Sequence, residues 1–279
     1  MFQFLTKLFG GGREPLPPEF DARNCDPKAA AAALEANGLI VLRKILTTET
    51  VSEVYVGADR FIEEMSAYET QDELPDGIAY SVANSSFPLE QLWKSLEEGE
   101  NPLIDGLRRS PVIAVMQAYF DAQSVILRAP NLRHQRSSRQ VSHVPWHQDG
   151  FALPKDLRMV NCWLAVSPNA VGADSPGLEF LHNRPETVFP LEQDAQSPNY
   201  GFLEPERALL EPWEASSPVV RPILQAGDAV LFDTLMLHRT HSMPAMTERR
   251  VSAELRFTTE GPFIETERAG GRLLHVSFP

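Results

Sequence analysis

A mainly β domain, a sandwich or barrel buttressed by helices, is the fold class this sequence predicts. Three observations predict it. After about residue 120 the chain breaks into short β-like runs separated by Pro, Gly and Asn, the texture of an all-β layer structure. Before that point the apolar spacing is helical, with too little core to stand alone. The 279 residues, 43% apolar and 23% charged, are enough for one sizeable core and are neither disordered nor fibrous in composition. We read one domain over 1–279: an extended lead-in over 1–27, a mostly helical buttress over 28–120, and a β-core over 121–260.

The elements follow in order. Met1 to Phe9 is apolar, but it lacks a basic start and is too short for a signal peptide. It reads as an amphipathic turn or a disordered end, rather than as a weak anchor through Phe2, Phe4, Leu5, Leu8 and Phe9. Residues 13–27 carry four prolines and read as a surface lead-in. From Pro27 an alanine-rich helix runs to a stop at Gly38. Leu39 to Leu42 is a strand candidate. Thr47 or Thr48 can cap the next helix, whose core face is Val51, Val54, Ala58, Phe61, Ile62 and Met65. Strand candidates in the β-core are Ser124–Arg128, Val141–Trp146, Met159–Val166, Leu178–Leu181, Ala229–Phe232 and Val251–Thr258. Residues 182–222 hold seven prolines and little periodicity, the mark of a functional loop or lid inserted into the core.

Charge and cysteine usage narrow the function. A net charge of -13 leaves no basic footprint for collecting phosphates, which argues against a nucleic-acid partner. Cys25 and Cys162 make neither a disulfide framework nor a cysteine zinc cluster, which fits a reducing cytoplasm. No apolar run approaches the ~20 residues that span a bilayer, so no integral membrane segment is expected.

The chemistry sits in Pro145-Trp146-His147-Gln148-Asp149-Gly150. If Val141 to Asp149 is a strand, His147 and Asp149 point to one face and can offer two cis ligands to a metal. A second histidine would complete the facial triad of non-haem Fe(II) oxygenases. His238 ends an apolar run, where a strand would deliver it to a barrel mouth. His241 lies in a polar, proline-containing turn and reads as solvated. Further on, Arg249 to Phe257 alternates as a strand, and an arginine at its start could grip a keto-acid carboxylate with its planar fork. His134, His143, His182 and His275 read as surface or hydrogen-bonded residues, with His143 the first exception to consider.

With these segments in hand, the chain resembles the phytanoyl-CoA dioxygenase family of Fe(II)- and 2-oxoglutarate-dependent oxygenases. The resemblance runs from roughly Leu34 to Phe257. It covers LEANGLIVLRKILTTETV, PWHQDGF, NCWLAVSP with GLEFL after it, and GDAVLFDTLMLHRTHS leading to RRVSAELRF. It implies a double-stranded β-helix (jelly roll, cupin-like), with His147, Asp149 and His238 as catalytic iron ligands. It also implies an arginine for the far carboxylate of 2-oxoglutarate. Loop counting from His238 gives Arg249, and strand register gives Arg250; register is tied to the barrel face, so Arg250 is favoured. Trp163 matches a tryptophan beside the co-substrate, and Thr240 a hydroxyl residue two after the histidine.

The resemblance further implies Fe(II), 2-oxoglutarate and O2 as cofactor and co-substrates, with release of succinate and CO2. Related halogenating enzymes replace the carboxylate ligand with a small residue. Asp149 is present, which favours hydroxylation of an unactivated C–H in a small organic substrate, or a desaturation or ring closure. Two other readings are a non-catalytic metal- or ligand-binding jelly roll and a cupin-type isomerase using no keto acid. An intact triad with an available arginine argues against both. The family's Pro-Gly-Ser-His turn is replaced here by Leu181-His182-Asn183-Arg184-Pro185, which leaves lid and substrate open. Arg133, Arg136 and Arg139 lie just before the metal segment, where a substrate carboxylate or phosphate could dock.

Overall fold

The computed structural model describes residues 16–66, 86–88, 101–135, 144–192, 203–270 and 275–279. Helix α1 (Pro27–Asn37) starts where the Asp26 carboxylate accepts from the Lys28 and Ala29 N–H groups, with proline placed where its missing N–H is no loss. It stops at Gly38, whose φ of 70° lies in the left-handed region and whose N–H donates to the Leu34 carbonyl. A Cβ there would lie 2.6 Å from Arg184 Cδ and 2.7 Å from Met236 Sδ. Gly38→Ala is therefore expected to cost about 1–2 kcal/mol. Urea melts should show a lower midpoint at unchanged slope; an unchanged midpoint would refute this.

Helix α2 (Thr48–Ser66) follows, with the Thr47 hydroxyl accepting from the Thr50 N–H at 3.2 Å. Val51, Val54, Ala58 and Ile62 are buried as the spacing predicts, and Phe61 packs partly against the same core. Helices α3 (Pro102–Arg109) and α4 (Val112–Phe120) join this layer.

The helices cover one face of a large sheet. In chain order the strands are β1 (Glu19–Asp21), β2 (Leu39–Arg43), β3 (Ser86–Pro88), β4 (Val125–Gln135), β5 (Val160–Ala165), β6 (Gly177–Leu181), β7 (Val219–Val220), β8 (Ala229–Asp233), β9 (His238–His241), β10 (Arg250–Thr258) and β11 (His275–Phe278). Among the described residues the large sheet has the order β1-β2-β8-β5-β10-β4-β11, with β3 on the other half of β4. The small sheet is β7-β6-β9.

Period-two alternation assigns the faces. Ile40, Leu42, Cys162, Leu164, Leu231 and Leu255 pack toward the helices. Leu39, Val41, Trp163, Val230 and Phe232 point the other way and meet Phe180 and Val220 of the small sheet. The two sheets are the facing layers of a double-stranded β-helix, a jelly roll with no closed barrel among the described residues. Because Val251, Ala253, Leu255 and Phe257 of β10 belong to the helix side, Arg250, Ser252, Glu254 and Arg256 must face the inner side. That polar row is where the apolar core between the sheets gives way to a site.

Four sequence expectations change. Glu19–Asp21, inside the proline-rich lead-in, is an edge strand paired in parallel with β2. Residues 144–146 form no strand; 141–143, Met1–Phe9, His143, Arg136 and Arg139 lie outside the described residues. The stretch 182–222 is not uniformly irregular: it holds helix α5 (Arg207–Ser216) and β7. His241 is not solvated. It is buried at the end of β9, with Nδ1 3.6 Å from the Glu179 carboxylate.

Candidate metal centre

His147 and His238 are brought together by backbone pairing rather than by a continuous strand. Each donates its N–H to the other's carbonyl at 3.0 Å. The preceding turn is tied by Thr240, whose N–H donates to the Val144 carbonyl at 3.1 Å and whose hydroxyl accepts from the Val144 N–H at 3.2 Å. The two imidazoles lie with ring centres 4.0 Å apart. After His147 the chain enters a 3-10 turn, Asp149–Ala152, and that turn, not strand alternation, swings the Asp149 carboxylate back to 3.7 Å from His147 Nε2. One donor atom from each of His147, Asp149 and His238 lies within 4.8 Å of the others.

The outer contacts aim these donors. His147 Nδ1 sits 2.9 Å from the Pro145 carbonyl, and His238 Nδ1 3.0 Å from the Met236 carbonyl. Each Nδ1 therefore carries the proton, which leaves both Nε2 lone pairs for a metal. Burial and the neighbouring His147 lower His238 to about 4, so its imidazole is neutral at pH 7. Burial pushes the Asp149 carboxyl up, but the two imidazoles and Arg256 outweigh it and hold it below the ordinary carboxylate range. Two imidazoles with their Nε2 atoms free for a metal and one carboxylate on one side of a cavity fit a divalent iron with open positions.

Arg250 supplies the second test of fit. It is 2% exposed, and its Nε has no hydrogen-bond partner. Its Nη1 makes a long 3.3 Å contact to the Pro176 carbonyl, and its guanidinium lies over the Trp163 ring at 5.1 Å. Burial, with Arg133 nearby, pulls it down to about 9, which still leaves it cationic at neutral pH. A buried cation with no acid bound to it among the described residues suits an incoming carboxylate. Arg250, Trp163 and Thr240 line one cavity with the triad. Arg249 points away, to the Tyr55 hydroxyl at 2.8 Å and the Asp59 carboxylate.

Sequence reasoning missed four neighbours. Gln148, between the two ligand residues, is buried and tied on both ends of its amide: Nε2 donates to the Leu235 carbonyl at 2.7 Å and the Thr187 carbonyl at 3.1 Å, while Oε1 accepts from the Phe189 N–H at 2.8 Å. Asn161 stands opposite Arg256 across β5 and β10. Glu254 accepts from Arg133 at 2.8 Å and from Arg256 at 3.4 Å. Counting every second residue on from Arg250 would have found Glu254 and Arg256; nothing local marks Gln148 or Asn161.

A jelly roll carrying this triad defines a class of metal-dependent proteins, and the chain's sequence narrows it. The family model for phytanoyl-CoA dioxygenase matches residues 34–250, and the chain belongs to that family. No curated protein matches the sequence. Among solved structures, the epimerase SnoN in complex with Fe3+, alpha ketoglutarate and nogalamycin RO is 18% identical, with 84% of this chain and 85% of that chain covered and a TM-score of 0.57. EctD from S. alaskensis with 2-oxoglutarate and 5-hydroxyectoine is 15% identical, with 90% and 85% covered and a TM-score of 0.61. EvdO2 from Micromonospora carbonacea var. aurantiaca, complexed with 2-oxoglutarate, is 14% identical, with 89% and 94% covered and a TM-score of 0.61. At these identities the likeness is one of fold. Among the described residues no helix is long and apolar enough to cross a membrane.

Proposed function

We propose that the protein is an Fe(II)- and 2-oxoglutarate-dependent dioxygenase that hydroxylates a C–H bond of a small organic molecule. The observation that carries this reading is the pairing of a His-Asp-His triad with a buried arginine, its Nε without a hydrogen-bond partner, in one cavity. His147, Asp149 and His238 would hold the iron on one face, and Arg250 the far carboxylate of 2-oxoglutarate. Bound there, iron with 2-oxoglutarate and O2 would supply an oxidising group, the co-substrate leaving as succinate and CO2. The chain's own part is positioning. Trp163 walls the keto-acid end against water, and Thr240 fixes the turn that leads to His147. The two free cysteines fit a cytoplasmic placement.

Space for a substrate lies beside the triad. A cavity of about 330 Å3, lined in part by Arg128, Arg133, Phe151, Leu153 and Met159, adjoins one of about 680 Å3 that shares the last three residues. Residues 187–191 form part of the outer wall and are pinned to Gln148. We assign the described flanks of that stretch, 182–192 and 203–216, as parts of a lid that opens with more freedom than the β-core, while β7 stays with the small sheet and 193–202 lie outside the described residues. Hydrogen exchange without substrate should be faster there than in Val251–Thr258; equal protection would remove the lid.

Anaerobic titration tests the whole reading. A weak visible charge-transfer band should need Fe(II) and 2-oxoglutarate together. A band absent with both, or present with Fe(II) alone, would favour a protein that uses no keto acid.

A further inference from the structure

We propose that Arg256 is the anchor of an anionic subsite, and that the substrate carries a carboxylate which docks on it across the triad from Arg250. The inference rests on the proposed function for the direction from which the substrate enters.

Strand geometry sets the two arginines apart. Arg250 and Arg256 share the inner face of β10 six positions apart, roughly 20 Å of extended chain. Both line the cavity that holds the triad, but only Arg256 also lines the roomier cavity beside it. The neighbouring cations there are already engaged. Arg128 makes a bidentate pair with Glu267 at 2.5 and 2.7 Å, and Arg133 donates to Glu254 at 2.8 Å. The Arg256 contact to the same Glu254 is 3.4 Å, at the weak limit of a hydrogen bond, and its side chain is 25% exposed. Its one hydrogen bond among the described residues is long, its guanidinium also faces the Asp149 carboxylate, and it is within reach of a ligand.

Charge balance gives the class of ligand. Among the described residues on this wall, three guanidiniums (Arg133, Arg250, Arg256) face two carboxylates, Asp149 and Glu254. Arg239, which also lines the cavity, is paired with Glu179. A divalent iron and a 2-oxoglutarate dianion cancel each other. Counted over the described residues, the loaded site keeps one positive charge in a partly enclosed pocket, which a monoanion neutralises. That favours a carboxylate over a doubly charged phosphate ester.

Calorimetry on protein loaded anaerobically with Fe(II) and 2-oxoglutarate tests this, because the keto acid then blocks Arg250. Hexanoate and phenylacetate are titrated against their amides, at low and high salt. Each acid should bind at least about tenfold tighter than its amide, a preference that shrinks with salt. Arg256→Met should erase the preference and Arg256→Lys should keep part of it, with circular dichroism showing both variants folded. An acid that binds wild type no better than its amide overturns the subsite, and so does an intact preference in Arg256→Met. If Arg256→Met fails to fold, the wild-type comparison and the lysine variant decide. A charge-transfer band without acid preference defeats this inference alone. Acid preference without the band defeats the proposed function, and the subsite then stands only if Arg256→Met erases that preference; if Arg256→Met keeps it, the acid sits on Arg250 and the subsite falls.

Discussion

His147→Ala and His238→Ala are each expected to abolish iron-dependent turnover of 2-oxoglutarate, while His241→Ala keeps most of it. The three histidines are all buried, so burial does not separate them. Contacts do. His147 and His238 converge with Asp149, and each has its Nδ1 held by a backbone carbonyl. His241 lies on the other face of β9, beside a Glu179 carboxylate that also binds Arg221 and Arg239. Losing even an outer contact to a metal ligand typically costs ~10–100-fold in affinity or activity, and losing a ligand should cost more. Succinate release and bound iron, measured together, check this. Both should fall by more than about 100-fold in the first two variants. His241→Ala should lower thermal stability without releasing iron. An inactive His241→Ala beside an active His238→Ala would mean the third ligand is misassigned.

What the sequence made legible follows from periodicity. Strands β2, β5, β8 and β10 are buried on both faces or alternate strictly, and each was found within a residue or two. β9 was missed because HRTH is polar and only four residues long, although burial is nearly complete. Its polar residues are buried because they serve the triad and the Glu179 cluster, so composition pointed to a solvated turn. The same limit hid the true placement of Asp149. An H-x-D spacing reads as strand alternation, whereas the 3-10 turn at Asp149–Ala152 achieves the same convergence by bending the chain. That bend needs Gly150, where a Cβ would lie 2.6 Å from Val188 Cγ2 and 3.1 Å from the Thr234 carbonyl oxygen. Helix α5 was hidden by Pro212 within it.

Arg250→Ala is expected to raise the 2-oxoglutarate requirement by roughly 10- to 200-fold, the equivalent of a lost charge-assisted hydrogen bond of ~1.5–3 kcal/mol. The side chain is 2% exposed with an unpartnered Nε, so removing it takes away a desolvated donor that water cannot replace. Lysine should rescue poorly, because an ammonium lacks the planar fork and cannot lie over Trp163 as the guanidinium does. Arg249→Ala should leave co-substrate affinity unchanged, since that side chain is spent on Tyr55 and Asp59 and costs only stability when removed. Thermal shift gives a readout independent of turnover. A ligand at one hundred times its Kd stabilises by about 2.7 kcal/mol, and a hundredfold loss of affinity leaves about 0.4 kcal/mol at the same concentration. The rise in Tm on adding 2-oxoglutarate should therefore nearly vanish in Arg250→Ala and persist in Arg249→Ala. The opposite pattern would move the keto-acid site to the other face of β10, where Val251, Ala253 and Leu255 are packed into the core beneath the helices.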